Sequence, residues 1–190
     1  MNVIAMSEQR EPLNQLDDSE ARWFAVYTRF KREKMVYKRL IDKGLELYLP
    51  LQQVTRYYTR KIRRTELPLI SCYIFVKIVR KQYVSVLEDP DVSYFVKLRA
   101  DLIAVPEREI DILKAITGEG VQVEVLPSQR LPEPGDAVEI IQGRLYGVRG
   151  ILLSQQNNKY VVVELDRLGF SLRMQLEAEM IRKVGREYNG

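Results

Sequence analysis

The chemically richest stretch of the chain is Arg56-Tyr57-Tyr58-Thr59-Arg60-Lys61-Ile62-Arg63-Arg64, in which cations interleave with aromatic rings. Guanidinium and ammonium groups neutralise phosphates and release counterions, and tyrosine faces stack on unpaired bases. Arg56, Tyr57, Tyr58, Arg60, Lys61, Arg63 and Arg64 are therefore candidate nucleic-acid contacts. A solvated loop kept soluble by its charge is the competing reading, because charge runs are often nothing more.

Catalytic chemistry has little to work with. The chain holds one cysteine, Cys72, and no histidine. That excludes Ser-His-Asp and Cys-His nucleophile pairs, an internal disulfide, and a zinc site built on cysteine and histidine. A nuclease need not use histidine, but the carboxylate-x-lysine triplets such enzymes commonly carry are absent, as are glycine-rich phosphate loops. We expect no enzyme, no metal and no cofactor.

Charge is divided unevenly along the chain. Residues 21–99 carry 18 Lys+Arg against 7 Asp+Glu, and the remainder carries 12 against 19. A basic first half suits an approach to nucleic acid or an acidic surface, although a solubilising surface has the same charge. Residues 1–20 are mostly polar and lack the apolar core of a secretory signal. The longest apolar stretch, around Leu67–Val76, falls short of the roughly 20 residues a membrane span requires. A cytoplasmic monomer with no membrane association is expected.

These residues need elements to position them. Residues 1–20 lack periodicity and read as a flexible tail. Trp23–Tyr27 is aromatic and branched, hence a strand. Lys31–Lys43 carries Val36, Tyr37, Leu40 and Ile41 on a helical stripe and ends at Gly44, where a helix C-cap favours glycine. Leu45–Leu51 predicts a strand, Thr55–Thr65 a projecting hairpin or loop, and Cys72–Val79 a central strand. A short helix over 81–88, strands over 93–98 and 102–105, and a helix opened by Pro106 complete a small α/β sandwich over 21–118. Residues 119–134 are rich in Gly and Pro and read as a linker, although Val121–Val125 alternates and could dock on the first domain as a strand. From Gly135 the period becomes two, and five short strands over 135–186 predict a small barrel.

Two patterns together resemble a known family. Gly135-Asp136-Ala137-Val138-Glu139-Ile140-Ile141-Gln142-Gly143-Arg144-Leu145-Tyr146-Gly147-Val148-Arg149-Gly150-Ile151 resembles a KOW motif, in which Gly143, Gly147 and Gly150 shape the barrel rather than bind anything. Trp23-Phe24-Ala25-Val26-Tyr27, Arg32-Glu33-Lys34, Tyr48-Leu49-Pro50 and Pro68-Leu69-Ile70-Ser71-Cys72-Tyr73-Ile74-Phe75-Val76, in that order, resemble the NusG N-terminal domain. The resemblance spans about Arg22 to Val184. It implies an α+β chain: a NusG-type α/β sandwich followed by an SH3-like KOW β-barrel. It looks closest to specialised paralogues such as RfaH and the UpxY group, which antiterminate transcription of polysaccharide operons. A KOW-containing RNA-binding ribosome or translation factor is the alternative.

The resemblance also implies sites. Tyr27, Ile70, Tyr73 and Phe75 match an apolar depression that grips the clamp helices of the largest RNA polymerase subunit. Strand alternation puts Tyr73 and Phe75 on one face and Ile74 and Val76 on the other, so all four are core if both faces are covered. The family's common Pro-Gly-Tyr is Ser71-Cys72-Tyr73 here. The 55–65 hairpin matches one lying near upstream DNA, and Arg29 matches a position near the non-template strand. Leu168-Gly169-Phe170 lies where the family presents a loop to Rho or to a ribosomal protein, with Leu168 in place of a Phe. Relatives of the RfaH type refold the barrel into a helical hairpin that masks the clamp-binding surface; the β-branched Tyr160-Val161-Val162-Val163 here favours the barrel.

Overall fold

A computed structural model of the 190-residue chain describes residues 13–58, 61–117, 123–127, 135–155, 158–165 and 169–184. The first domain is a four-stranded antiparallel sheet in the order β2-β5-β1-β6, from β1 (Arg22–Thr28), β2 (Glu46–Tyr48), β5 (Tyr73–Ile78) and β6 (Val92–Phe95). Its interior strands, β1 and β5, are the two with the most continuous apolar sequence, as strands buried on both faces require.

Register settles what each face meets. Phe24, Val26, Ile74, Val76 and Ile78 form one side, covered by Val36 and Leu40 of α1 (Glu33–Asp42) and Val86 of α2 (Tyr83–Leu87). The α1 stripe is two residues four apart, one helical turn, with Glu33 in the first turn and Arg39 in the last, which complements the helix dipole. Gly44 ends it at φ 78°, donating its N–H to the Ile41 carbonyl at 2.8 Å. Trp23, Ala25, Tyr27, Tyr73 and Phe75 form the other side. Part of that side is covered by Ile110, Leu113 and Ile116 of α3 (Glu107–Thr117). Each fully buried side chain of the Phe or Leu type contributes about 1.5–3 kcal/mol.

The tail expected over 1–20 is corrected from Leu13 onward. Asn14 bridges Leu102 in parallel, the Gln15 N–H donates to the Leu102 carbonyl at 3.0 Å, and Leu16 is buried among the α1-side residues. Asp17 accepts the Glu20 and Ser19 N–H groups; these bonds lower its carboxyl to about 2 and turn the chain into β1. Two isolated leucines carry no period, so nothing local announced this pairing. The expected strand at 102–105 is reduced to two single bridges, Leu102 to Asn14 and Val105 to Trp23. The hairpin is longer than expected: β3 (Leu51–Tyr58) and β4 (Lys61–Pro68) form a separate two-stranded sheet.

The second domain is a six-stranded sheet in the order β12-β8-β9-β10-β11-β7. Five strands lie in the expected region: β8 (Asp136–Ile140), β9 (Arg149–Gln155), β10 (Asn158–Leu165), β11 (Phe170–Gln175) and β12 (Ile181–Lys183). Val138, Ile140, Val161, Val163, Leu165, Leu172 and Met174 fill its interior. The sixth, β7 (Val123–Pro127), comes from the expected linker and pairs with β11 of the barrel, not with the first domain.

Gly143 and Gly147 take positive φ, and Gly150 allows a close approach: a Cβ there would lie 2.5 Å from the Val162 carbonyl oxygen. That neighbour is backbone and cannot rotate away. Gly150→Ala is expected to destabilise the barrel by about 2 kcal/mol, read as a lowered urea midpoint with the first domain's transition unchanged.

Candidate functional site

Four aromatic rings run in line from the first domain into the second. Tyr94 stacks on Tyr27, with centroids 5.1 Å apart and planes at 3°. Tyr27 meets Tyr73 edge to face at 5.5 Å, and Tyr73 meets Phe170 edge to face at 5.2 Å. Tyr27 and Tyr73 are direct partners across β1 and β5, and Tyr94 is opposite Tyr27 on β6. Each such ring pair adds about 0.5–1.5 kcal/mol beyond the area it buries. Tyr94 is 52% exposed, and Tyr27 and Tyr73 are half-buried. A hydrogen bond with the Cys72 thiol raises the Tyr27 phenol above its ordinary value, and burial raises that of Tyr73.

The turn before β5 explains how a cysteine is held in a conformation that favours glycine. Cys72 sits at φ 66°, the left-handed region that favours glycine. Its N–H donates to the buried Glu33 carboxylate at 2.8 Å, and its carbonyl accepts the Thr28 N–H at 2.8 Å. Two non-local bonds hold the conformation that the residue type disfavours, and Tyr73 follows directly.

Two of the four apolar site candidates are corrected. Phe75 is fully buried and Ile70 is 4% exposed. Phe75 stacks on Tyr48 at 6.3 Å, and the Tyr48 hydroxyl shares a 3.0 Å hydrogen bond with Thr117 at the end of α3. Trp23 is fastened at the other end of α3: its Nε1 donates to Glu107 at 3.0 Å, and Lys77 and Lys114 lie over its ring. Alternation placed Phe75 beside Tyr73 correctly, but α3 returns over that end of the sheet. Phe75 and Ile70 are core, and Tyr27, Tyr73 and Tyr94 are the accessible members. Tyr94 escaped sequence reasoning because its place depends on the pairing of β6 with β1, which passes through a register shift between Tyr27 and Thr28.

The cationic candidates lie on two elements. Arg29 is exposed, with its N–H held by the Asp91 carbonyl at 2.8 Å. Next to it, Phe30 is 67% exposed under the Lys31 ammonium, and Lys31 takes φ 61°. The Asp91 segment is anchored by Arg39, which gives two 2.7 Å bonds to Asp89 and one of 2.8 Å to Asp91. On the hairpin, backbone register sets Arg56 opposite Arg63, Tyr57 opposite Ile62 and Tyr58 opposite Lys61. Ile62, Arg63 and Arg64 are exposed. Arg60 lies outside the described residues, as does Leu168 in the barrel loop. Gly169 takes φ 68° beside Phe170, the loop residue that reaches Tyr73.

Among the described residues, no group of three His, Cys, Asp or Glu is placed to hold a metal, and no helix is long and apolar enough to cross a membrane.

The sequence profile of a family described as transcription termination factor NusG matches residues 21–114. No curated protein matches the chain significantly. Among solved structures, one described as "Domain interaction in Thermotoga maritima NusG" is 20% identical, with 87% of this chain and 98% of that chain covered at a TM-score of 0.54. A chain from a structure described as "Crystal Structure of MjSpt4:Spt5 complex conformation B" is also 20% identical, covers 86% of this chain and 97% of its own, and has a TM-score of 0.31. Residues 21–114 match the NusG family profile, and the chain as a whole, with its barrel, has a NusG-like fold.

Proposed function

We propose that this protein is a transcription elongation and antitermination factor that binds the clamp helices of RNA polymerase through Tyr27 and Tyr73, with Tyr94 completing the surface. The observation that carries this is the row of half-exposed tyrosines, met at Tyr73 by a ring from the other domain. Tyrosine supplies a large, rigid, amphipathic contact and is enriched among interface anchors. Bound polymerase would be held in its clamp-closed state, so binding energy shifts a pre-existing equilibrium away from pausing or termination at a subset of operons. No catalytic step is involved.

In this reading the barrel has two roles. It recruits a further partner, a ribosomal protein or Rho, and it covers the tyrosine face through Phe170 when polymerase is absent. The solved Thermotoga maritima relative is described by a domain interaction, and a contact of that kind serves in this protein as a cap on the binding face. The test is co-elution with core polymerase. Adding Tyr73→Ala to a Phe170→Ala background, so that the barrel's own contact is already gone, is expected to weaken binding about tenfold or more. Unchanged binding would remove the tyrosine face from the proposal, and capture of ribosomal proteins instead of polymerase would redirect it to translation.

The cations extend the contact to DNA. Arg29 is assigned to the non-template strand and the β3–β4 hairpin to upstream DNA. Replacing Arg60, Lys61, Arg63 and Arg64 by alanine is expected to weaken binding to the elongation complex and to flatten its salt dependence, since each lost phosphate contact lowers the slope of log K against log salt by ~0.9 on duplex DNA. A slope equal to that of the unmodified protein would take these residues out of the interface.

A further inference from the structure

β7 stands apart from the other barrel strands. It ends the sheet, with β11 as its one neighbour. Val123, Val125 and Leu126 are half-buried, whereas Met174 and Leu172, opposite Val123 and Val125 on β11, are fully buried. A short edge strand with little buried surface opens at far lower cost than the interior. Pairing runs from Val123 opposite Met174 to Pro127 opposite Phe170. Proline has no N–H to donate, so the ladder stops beside the ring that touches Tyr73. On the outer side, Glu124 lies 3.5 Å from Arg173, and the Arg173 guanidinium lies 4.1 Å from the Tyr160 ring centroid. These three residues, with Val123 and Gln175, line an open cavity of about 270 Å³.

Chain length makes this pairing consequential. Five residues separate Thr117, at the end of α3, from Val123. While β7 is zipped to β11, those five are the whole connection between the domains and reach at most ~20 Å. With β7 free, the connection runs from residue 118 to residue 135 and reaches at most ~65 Å. Lengthening the tether from 5 to 18 residues lowers the effective concentration of one domain at the other by about sevenfold on the −3/2 power law.

We propose that the β11 edge is a strand-exchange site. An extended partner segment alternating aliphatic and acidic residues, as Val123-Glu124-Val125 does, displaces β7, pairs its carboxylate with Arg173, and by lengthening the tether draws Phe170 off Tyr73. The consequence for polymerase rests on the reading of Tyr73 as a binding face; the exchange itself does not.

The test uses the full chain with spin labels at Asp111→Cys and Tyr146→Cys in a Cys72→Gly background, and a synthetic peptide of residues 121–127. The unmodified linker should give a narrow interdomain distance distribution. Val125→Pro with Leu126→Pro removes a ladder bond whichever of the two residues donates it, and should broaden and lengthen that distribution. The proline variant should also bind the peptide at least tenfold more tightly than the unmodified linker does. A peptide with lysine in place of its glutamate should bind at least tenfold more weakly than the acidic one. A distribution that stays narrow with the barrel folded, or no peptide binding to the variant, overturns the proposal. Should the proline variant lose the barrel fold, Glu124→Lys, which leaves the backbone intact and opposes two cations, decides the matter: broadening supports the exchange and an unchanged distribution overturns it. Polymerase enters neither readout, so failure here and failure of the proposed function are separable.

Discussion

Phe170→Ala is expected to raise the apparent affinity of the protein for core RNA polymerase by ~30-fold, corresponding to about 2 kcal/mol of released capping energy. The Phe170 ring gives an edge-to-face contact to Tyr73 at 5.2 Å and is itself half-buried. Losing the ring removes both the area it buries and the ring pairing. When a binding-competent state is only fractionally populated, apparent affinity is reduced by that fraction, so destabilising the capped state raises affinity until the open state dominates. The gain should appear in a titration of labelled protein with core polymerase, and it should be absent when polymerase is replaced by a partner of the barrel alone. Because the cap competes with polymerase for one face, adding Tyr73→Ala should reverse the gain. An affinity for polymerase unaltered by Phe170→Ala would mean that the cap does not compete, and that Tyr73 is not on the bound face.

The elements that hold this face were legible in the sequence to very different degrees. β1, β5 and α1 follow from apolar runs and a helical stripe whose period is carried by the residues themselves. Gly44 and the barrel glycines announced their turns, and both domain folds were legible from the order of segments. What could not be read locally was everything decided by a distant partner. Whether Phe75 faces solvent depends on α3 returning across the sheet to Tyr48 through Thr117. Tyr94 joins Tyr27 only because β6 pairs with β1 across a register shift. The alternation of Val123 to Val125 predicted a strand but named the wrong host, since an edge of either domain offers the same unpaired N–H and C=O groups. Leu16 is buried two residues after a single bridge from Asn14 to Leu102, a pairing that no pattern in residues 1–20 encodes.

The largest stability loss is expected from Arg39→Ala. Asp89 is 3% exposed, and its two oxygens each take a 2.7 Å bond from the Arg39 guanidinium, which also reaches Asp91 at 2.8 Å. Removing one partner of a buried pair leaves the other as an uncompensated charge; with Arg39 itself about a third exposed, the lower part of the usual range applies, about 3 kcal/mol. The pH dependence has a definite sign. Burial raises the Asp89 carboxyl, but the Arg39 bonds and the Asp91 N–H outweigh it and hold the group below its ordinary value of 3.8. A carboxyl depressed on folding contributes stability that is fully present above its unfolded value and lost as pH falls through the folded one. In the variant the burial penalty is opposed by the Asp91 N–H and the Lys43 charge without the two Arg39 bonds, so protonation of Asp89 relieves more of the penalty than it does in the unmodified protein. The stability gap between the unmodified protein and Arg39→Ala should therefore be widest near neutrality and narrow below about pH 4, as urea unfolding at several pH values would measure. Arg39→Lys keeps the charge without the two-pronged geometry and should fall between the two. Because the Asp91 carbonyl fixes the Arg29 N–H, Arg39→Ala should also weaken binding to a single-stranded DNA probe at temperatures where the fold persists. Were the gap the same at pH 3 and pH 7, Asp89 would not be the buried charge that this pair compensates.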